Sequence, residues 1–432
     1  MAVKISDSGA MDWPARLIGG AWIMAALAVT AGLAVWLLVP GGEGREEMVR
    51  RHIDGEWFRK SLVEDNLSHW LAAAATESGF FRSALDRRWR PAGRQVATLV
   101  SQSRLLFVMA AGYEVTGRED YRRALRKGAE FLLSHFRDDE HGGWFWSVDA
   151  DGRPIDMHKD SYGHAFVIFG LSHAGRVTGE RRYLQVALET WGVVKTNFRD
   201  ELGGIYRRAG RDWSDRAGHS QNPMMHLFEA LLALHDATGS QEVLDDALAL
   251  AEFIFTRLYD AAGGYLPEEY DELWRPLPVE RGGRVDLGHQ FEWAFLLSQA
   301  VAKGFPARYL ETGQRLLAFG MAHGFDAEAG GIFLSTDYTG AVRNRDKGWW
   351  QQCEHLRALM RYAAEHGRND LWEPFEKSLA FVKAHFIDSR YGGWYAAPDG
   401  GAGGGRKGSV WKAGYHTTGM YLEALRLADL RR

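Results

Sequence analysis

Apolar residues in this chain fall into two kinds of helical stretch that alternate. Residues 95–113, 160–177, 223–238, 287–303, 349–365 and 415–430 are apolar or aromatic on nearly every side. Residues 121–136, 182–198, 242–258, 307–323 and 371–386 instead repeat apolar positions at i, i+3 and i+4, with a polar face between. A helix apolar all round is a buried one, and a helix with a polar face lies at a surface. The pattern therefore predicts buried and half-exposed helices taken in turn.

Each pair ends in a glycine turn: Gly142-Gly143, Gly203-Gly204, Gly263-Gly264, Gly330-Gly331 and Gly392-Gly393, in steps of 61, 60, 67 and 62 residues. An aspartate precedes each turn (Asp138, Asp200, Asp260, Asp326, Asp388), and a degenerate copy, Gly79-Phe80-Phe81, lies 63 residues before the first. Short strand-like runs at 144–148 and 332–336 lead into further turns and predict small hairpins at one rim. Six units of nearly double the tetratricopeptide period predict an all-α fold, an inner ring of six helices within an outer six: an (α/α)6 barrel. Such a barrel places its pocket at one end of the inner ring.

The N-terminus breaks the pattern. Residues 17–39 carry no charge, and at ~1.5 Å rise per residue they match the roughly 30 Å hydrocarbon core. They read as a single-pass membrane anchor between a tail, 1–16, and a linker, 40–51, with the barrel domain over 52–432. Lys4 and Arg16 precede the span, whereas Arg45, Arg50, Arg51, Arg59 and Lys60 follow it, which favours a cytoplasmic catalytic domain. The alternative is a true start at Met48 and a soluble protein.

Composition adds little beyond this. A net charge of −4 over 432 residues gives no nucleic-acid footprint. The single Cys353 reads as packing, and the seventeen tryptophans suit sugar stacking or core filling. No zinc, calcium, nucleophile-elbow or phosphate-loop motif occurs, so no metal or cofactor is expected. The oligomeric state stays open.

Candidate chemistry lies where the apolar helices begin. Arg104, His226, His289 with Glu292, Trp349 with Glu354, and Trp411 with His416 enter separate helices at one phase of the repeat. His289 and Glu292 share a helix face, so the carboxylate is placed to orient the imidazole and raise its basicity. Histidine titrates near neutrality and suits moving a proton beside a carbonyl; Arg104 would stabilise the enediolate that results.

Together, Ser103-Arg104, Asn222 to Glu229, Gly288 to Trp293, Lys347 to Glu354 and Tyr415-His416 resemble the N-acylglucosamine 2-epimerase superfamily over residues 52–432. The resemblance implies an (α/α)6 barrel and a metal-free sugar isomerase or epimerase. It implies His289 and His416 as acid/base groups at C1 and C2 of an opened aldose, and Arg104 on the oxygens there. His226 and Glu292 would support ring opening, Trp349 and Trp411 would stack on the sugar, and Asn222, Glu354 and Tyr162 would contact it. The run from Ser161 to Phe166 and that from His416 to Gly419 are similar to mannose isomerases. Trp411 to His416 is similar to cellobiose 2-epimerases, although Thr417, Thr418 and Gly419 stand where those usually carry an arginine. Aldose–ketose isomerisation is thus the first expectation and 2-epimerisation the second. A glycoside hydrolase on the same barrel and a non-catalytic sugar-binding module are the rivals from other classes. Within the longest repeat, the stretch 269–285, with Trp274 and Arg275, is expected to cover the pocket.

Overall fold

A computed structural model describes residues 43–403 and 405–429. The candidate membrane span lies outside the described residues, and among those no helix is long and apolar enough to cross a membrane. By its contacts the chain divides after Met48, and Val49–Arg432 is one compact unit. Much of the stretch expected to be a linker is helical, Glu43–His52, in keeping with the good helix propensity of its Glu and Arg residues.

Among the described residues of the compact unit, six helices form a closed inner ring: Leu99–Thr116, Ser161–Thr178, Gln221–Thr238, Leu287–Ala302, Trp349–Glu365 and Tyr415–Leu427. Each packs against the next, and the last returns to the first. Burial explains their composition, since 15 residues of Leu99–Thr116 are buried, whereas Glu119–His135 buries a single stripe. The outer layer is Glu119–His135, Arg181–Asn197, Gln241–Leu258, Arg308–Gly324 and Trp372–His385, each against its own inner helix. The sixth outer position is filled from the N-terminal side by Gly55–Ala74, which packs on the last inner helix. This helix escapes a 3.6-residue pattern for a physical reason. Ser61–Leu67 is a π segment, and the extra residue in its turn shifts the buried stripe from Phe58 and Leu62 to Leu67, Trp70 and Ala74.

The expected hairpins are present at one rim, with Ser147–Asp149 pairing Pro154–Asp156 and Ser335–Thr336 pairing Val342–Asn344, both antiparallel. The aspartate before each glycine pair works inside its turn: Asp138 Oδ1 accepts from the backbone N–H of Glu140 and His141, Asp260, Asp326 and Asp388 repeat the pattern, and Asp200 Oδ1 accepts from Leu202 and Gly204 N–H.

Three tryptophans lock neighbouring repeats at this rim. Trp89, Trp213 and Trp274 adopt left-handed φ of 63°, 68° and 59°. Each lays its indole over a glycine of another repeat's turn, respectively Gly393, Gly143 and Gly204, where any Cβ would collide with the ring. Their Nε1–H groups donate to Tyr391 O, His141 O and Asp200 Oδ2 at 2.8, 2.8 and 2.6 Å. Trp274 is therefore a buried clamp rather than a residue over the pocket, and Arg275 pairs locally with Asp271 at 2.7 Å. Only the ends of that stretch, Glu269 and Arg284, reach the cavity described below. Trp274→Ala should cost about 3–5 kcal/mol, the usual price of emptying a buried indole site, read as a lower urea midpoint. An unchanged midpoint would mean the clamp contributes nothing.

Candidate active site

The rim that carries the hairpins is where the inner helices begin. Thr98, Asp160, Ser220 and Asp286 cap the first four through side-chain oxygens that accept from Ser101, Gly163, Asn222 and Gly288 N–H. Capping fixes where the helices start, and the chemistry-bearing side chains project from their first two turns, or from the loop just before, into a cavity of ≈ 460 Å³. Arg104, Tyr162, Asn222, His226, His289, Trp349, Trp411 and His416 all line it. Eight sequence-predicted residues thus share one chamber, while Glu292 and Glu354 lie fully buried behind it.

Each histidine is tied to a carboxylate. His289 Nδ1 donates to Glu268 Oε2 at 2.7 Å, and Gln221 Nε2 donates to the same oxygen at 2.8 Å. His416 Nδ1 donates to Glu354 Oε1 at 2.7 Å, and Arg357 Nη1 reaches the other oxygen at 3.3 Å. Deeper in the barrel, His226 Nδ1 pairs with Glu229 Oε2 at 3.1 Å, and the Tyr415 hydroxyl donates to that oxygen. This corrects the expected partner of His289. Glu292 shares its helix face but lies a turn deeper, while the His289 ring turns to the loop carrying Glu268. Glu354, expected to contact sugar, stands behind His416 as its partner.

These surroundings set the two outer histidines apart. Burial opposes protonation of His289, but Glu268 and then Asp286 outweigh it and raise its pKa to about 9. His416 is pushed well below 6.5 by burial, with Arg104 and His226 adding repulsion. At neutral pH one imidazole is a cation and the other is neutral. Two titratable groups pushed in opposite directions in one chamber form an acid and a base. Trp350 lies between them, its ring 4.8 Å from His289 and 5.3 Å from His416.

Arg104 is held as a fixed fork. Nη1 donates to Trp411 O at 2.9 Å and Nη2 to the Tyr162 hydroxyl at 2.7 Å, while Nε is buried without a partner. Its guanidinium lies 4.2 Å from the Phe166 ring centre and 4.8 Å from that of Tyr415. Asn222 lines the chamber with its Oδ1 unpartnered. Both carboxylate oxygens of Glu292 are also unpartnered, and burial, then Glu354 and Glu229, push its pKa well above 4.5, so it is a neutral acid. Glu292 belongs to two triads with ligand atoms within 4.8 Å, His226–Glu229–Glu292 and Glu292–Glu354–His416. In both, the histidine is already bonded to its own carboxylate.

Sequence reading missed Glu268 and Gln221. Glu268 sits one residue before the stretch singled out as unusually long. Its role comes from tertiary contact with His289, 21 residues later, which no helical spacing reports.

An (α/α)6 barrel with a carboxylate-backed histidine pair and an arginine fork at its mouth is the apparatus of an enzyme that moves protons on a sugar. The chain belongs to the N-acylglucosamine 2-epimerase family, whose model matches residues 79–419. It is therefore a sugar isomerase or epimerase. It is 26% identical to a cellobiose 2-epimerase of Bacteroides fragilis, across 85% of this chain and 97% of that one. It is also 26% identical to a D-mannose isomerase of Marinomonas mediterranea, across 87% and 98%. The solved cellobiose 2-epimerase of Spirochaeta thermophila superposes with a TM-score of 0.80 at 25% identity, covering 88% of this chain and 97% of that one.

Proposed function

We propose that this protein interconverts an aldose and its ketose by proton transfer between C2 and C1, in the manner of a mannose isomerase. The observation that carries the reading is the split between the paired histidines, His289 raised and His416 lowered. His226, which lines the chamber and is backed by Glu229, assists ring opening. His289 in its cationic form then hydrogen-bonds the carbonyl oxygen at C1. Neutral His416 takes the C2 proton, and electrons move from the breaking C–H bond into the C1–C2 bond and onto O1. The enediol(ate) is held by Arg104. His289 gives its proton to O1 and recovers one from the O2 hydroxyl while His416 returns its proton to C1, which leaves the carbonyl at C2 and forms the ketose. Return of a proton to the opposite face of C2 from His289 would form the 2-epimer, the second reading, favoured by the cellobiose 2-epimerase relatives.

The carboxylates do not favour hydrolysis. Glu268 and Glu354 are each committed to a histidine and Glu292 is buried, whereas glycosidases use two carboxyl groups free to flank the bond. The guanidinium of Arg357 lies 3.3 Å from where a Cβ on Gly419 would stand, so a side chain there would press on Arg357. Arg357 lines a separate chamber at the other end of the ring, away from the sugar.

Carbon NMR of mannose, cellobiose and N-acetylmannosamine incubated with the protein tests the choice. Fructose from mannose supports isomerisation; glucose from mannose, or an epimer of either other sugar alone, contradicts it. The pH profile tests the histidine assignment. kcat/KM should fall as pH rises through about 9, because His289 then loses the proton it must donate. Glu268→Gln removes the largest influence holding that proton, so the alkaline limb should move down by at least a unit or so. A limb unmoved by this change would remove Glu268 from the account.

A further inference from the structure

A second chamber, of ≈ 400 Å³, lies at the end of the inner ring away from the sugar. Its solvent side carries the ion pairs Glu114–Arg176 and Asp236–Lys303, and its inner wall includes Glu229, Tyr415 and Arg357. Of His416, Glu354 and Arg357, which bond in series, only Arg357 lines this second space. Its guanidinium stacks 3.7 Å from the Phe295 ring centre, and its Nε is buried without a partner. Glu229 and Glu423 stand near, but Glu229 serves His226 and Tyr415, and Glu423 serves Arg361 and Arg426. Among the described residues, the one hydrogen bond Arg357 makes through its side chain goes to Glu354 Oε2, at 3.3 Å.

That bond bears on the base. Glu354 is fully buried, and burial pushes its carboxyl towards the protonated form; Arg357 is the first group to oppose this. An ionised Glu354 accepts from His416 Nδ1, so the ring proton sits there and the Nε2 lone pair is free for the hydrogen at C2. One more proton from solvent ends this state. It makes either an imidazolium beside the carboxylate, or a Glu354 acid that donates to Nδ1 while the ring proton moves to Nε2. Both forms occupy the lone pair. Other groups face the pair: Arg104 from the first inner helix, His226 and Glu229 from the third, His289 and Glu292 from the fourth. Arg104 and cationic His289 line the sugar chamber, whereas Arg357 acts from behind, through Glu354. We infer that Arg357 is a positioning residue for the base: it keeps Glu354 ionised, and so holds His416 in the Nδ1–H tautomer that can take the C2 proton. This rests on the isomerase reading and names what poises its base.

Arg357→Gln removes the charge, so the pair binds a proton more readily. The acid limb of the kcat/KM profile, well below pH 6.5 in the wild type, should move up by about one to two pH units. A merely structural role would lower activity alike at every pH. Arg357→Lys keeps the charge and should move the limb less than half as far. Arg357→Met, whose stem keeps the Phe295 contact, serves where the glutamine variant does not fold. Guanidinium chloride at about 0.02 M, far below the molar range that unfolds proteins, has access through the second chamber. It should return the limb of Arg357→Ala towards the wild-type position, and equal NaCl should not. Nitrogen-15 NMR of histidine-labelled protein reads the tautomer without turnover, with His416 assigned by the signals lost in His416→Gln. Wild type should keep a bare Nε2 to a pH about one to two units lower than Arg357→Gln does. A limb and a tautomer both unmoved by loss of the charge overturn the inference. A tautomer that shifts in protein that converts no sugar upholds it, and counts against the isomerase reading alone.

Discussion

Glutamine at His416 or at His289 lowers kcat by about 10²–10⁴-fold, the contribution of a positioned acid or base, while sugar binding is retained. Of the two outer imidazoles, His416 is the one held neutral, so it is the one of that pair able to accept the C2 proton. His289 is its cationic counterpart, and glutamine there keeps a donor near Glu268 but cannot give up a proton. The two act on one transition state, so the double variant should be scarcely worse than either single one. Steady-state kinetics beside a fluorescence binding titration would check this. A variant that keeps more than about half of wild-type kcat would remove that histidine from the mechanism.

Arg104→Lys is expected to cost about 10²–10³-fold in kcat with little change in KM, as for the loss of an oxyanion donor. Lysine keeps the charge but not the fork. Arg104 uses one terminal nitrogen on Trp411 O and the other on the Tyr162 hydroxyl, and its aim into the chamber depends on both. An ammonium cannot reproduce that aim, because its flexible stem is not held by two directed bonds. If KM rose with kcat unchanged, Arg104 would serve ground-state binding and not the enediolate.

The barrel was legible because burial on all sides leaves a signature in every inner helix. The helix predicted at 349–365 is Trp349–Glu365 in the structure, and that at 287–303 is Leu287–Ala302. Gly55–Ala74 was not legible, since its π segment breaks the very periodicity that reveals the others. Within the site, residues near the starts of inner helices were found because the repeat gives them a common phase. Glu268 has no phase; it lies on a loop and acts through a side-chain contact made only on folding. The i, i+3 rule placed Glu292 on the correct face but could not tell which way the His289 ring turns. Trp274 misled in another direction. Trp411, 50% exposed at the mouth, fits a sugar platform, yet Trp89, Trp213 and Trp274 fasten one repeat to another. Their local turns are as polar as any binding loop, and only the αL backbone and the facing glycines distinguish them.

The central claim is that His416 moves a proton between C2 and C1 of the sugar, and deuterium tests it most directly. The protein is incubated in D2O with mannose, mannose 6-phosphate, cellobiose and N-acetylmannosamine, and recovered sugars are examined by proton NMR and mass spectrometry. The account predicts deuterium at C2 of recovered aldose or C1 of the ketose in at least one sugar, lost in His416→Gln. Sugar converted with no deuterium at either carbon, or exchange undiminished in His416→Gln, would contradict it.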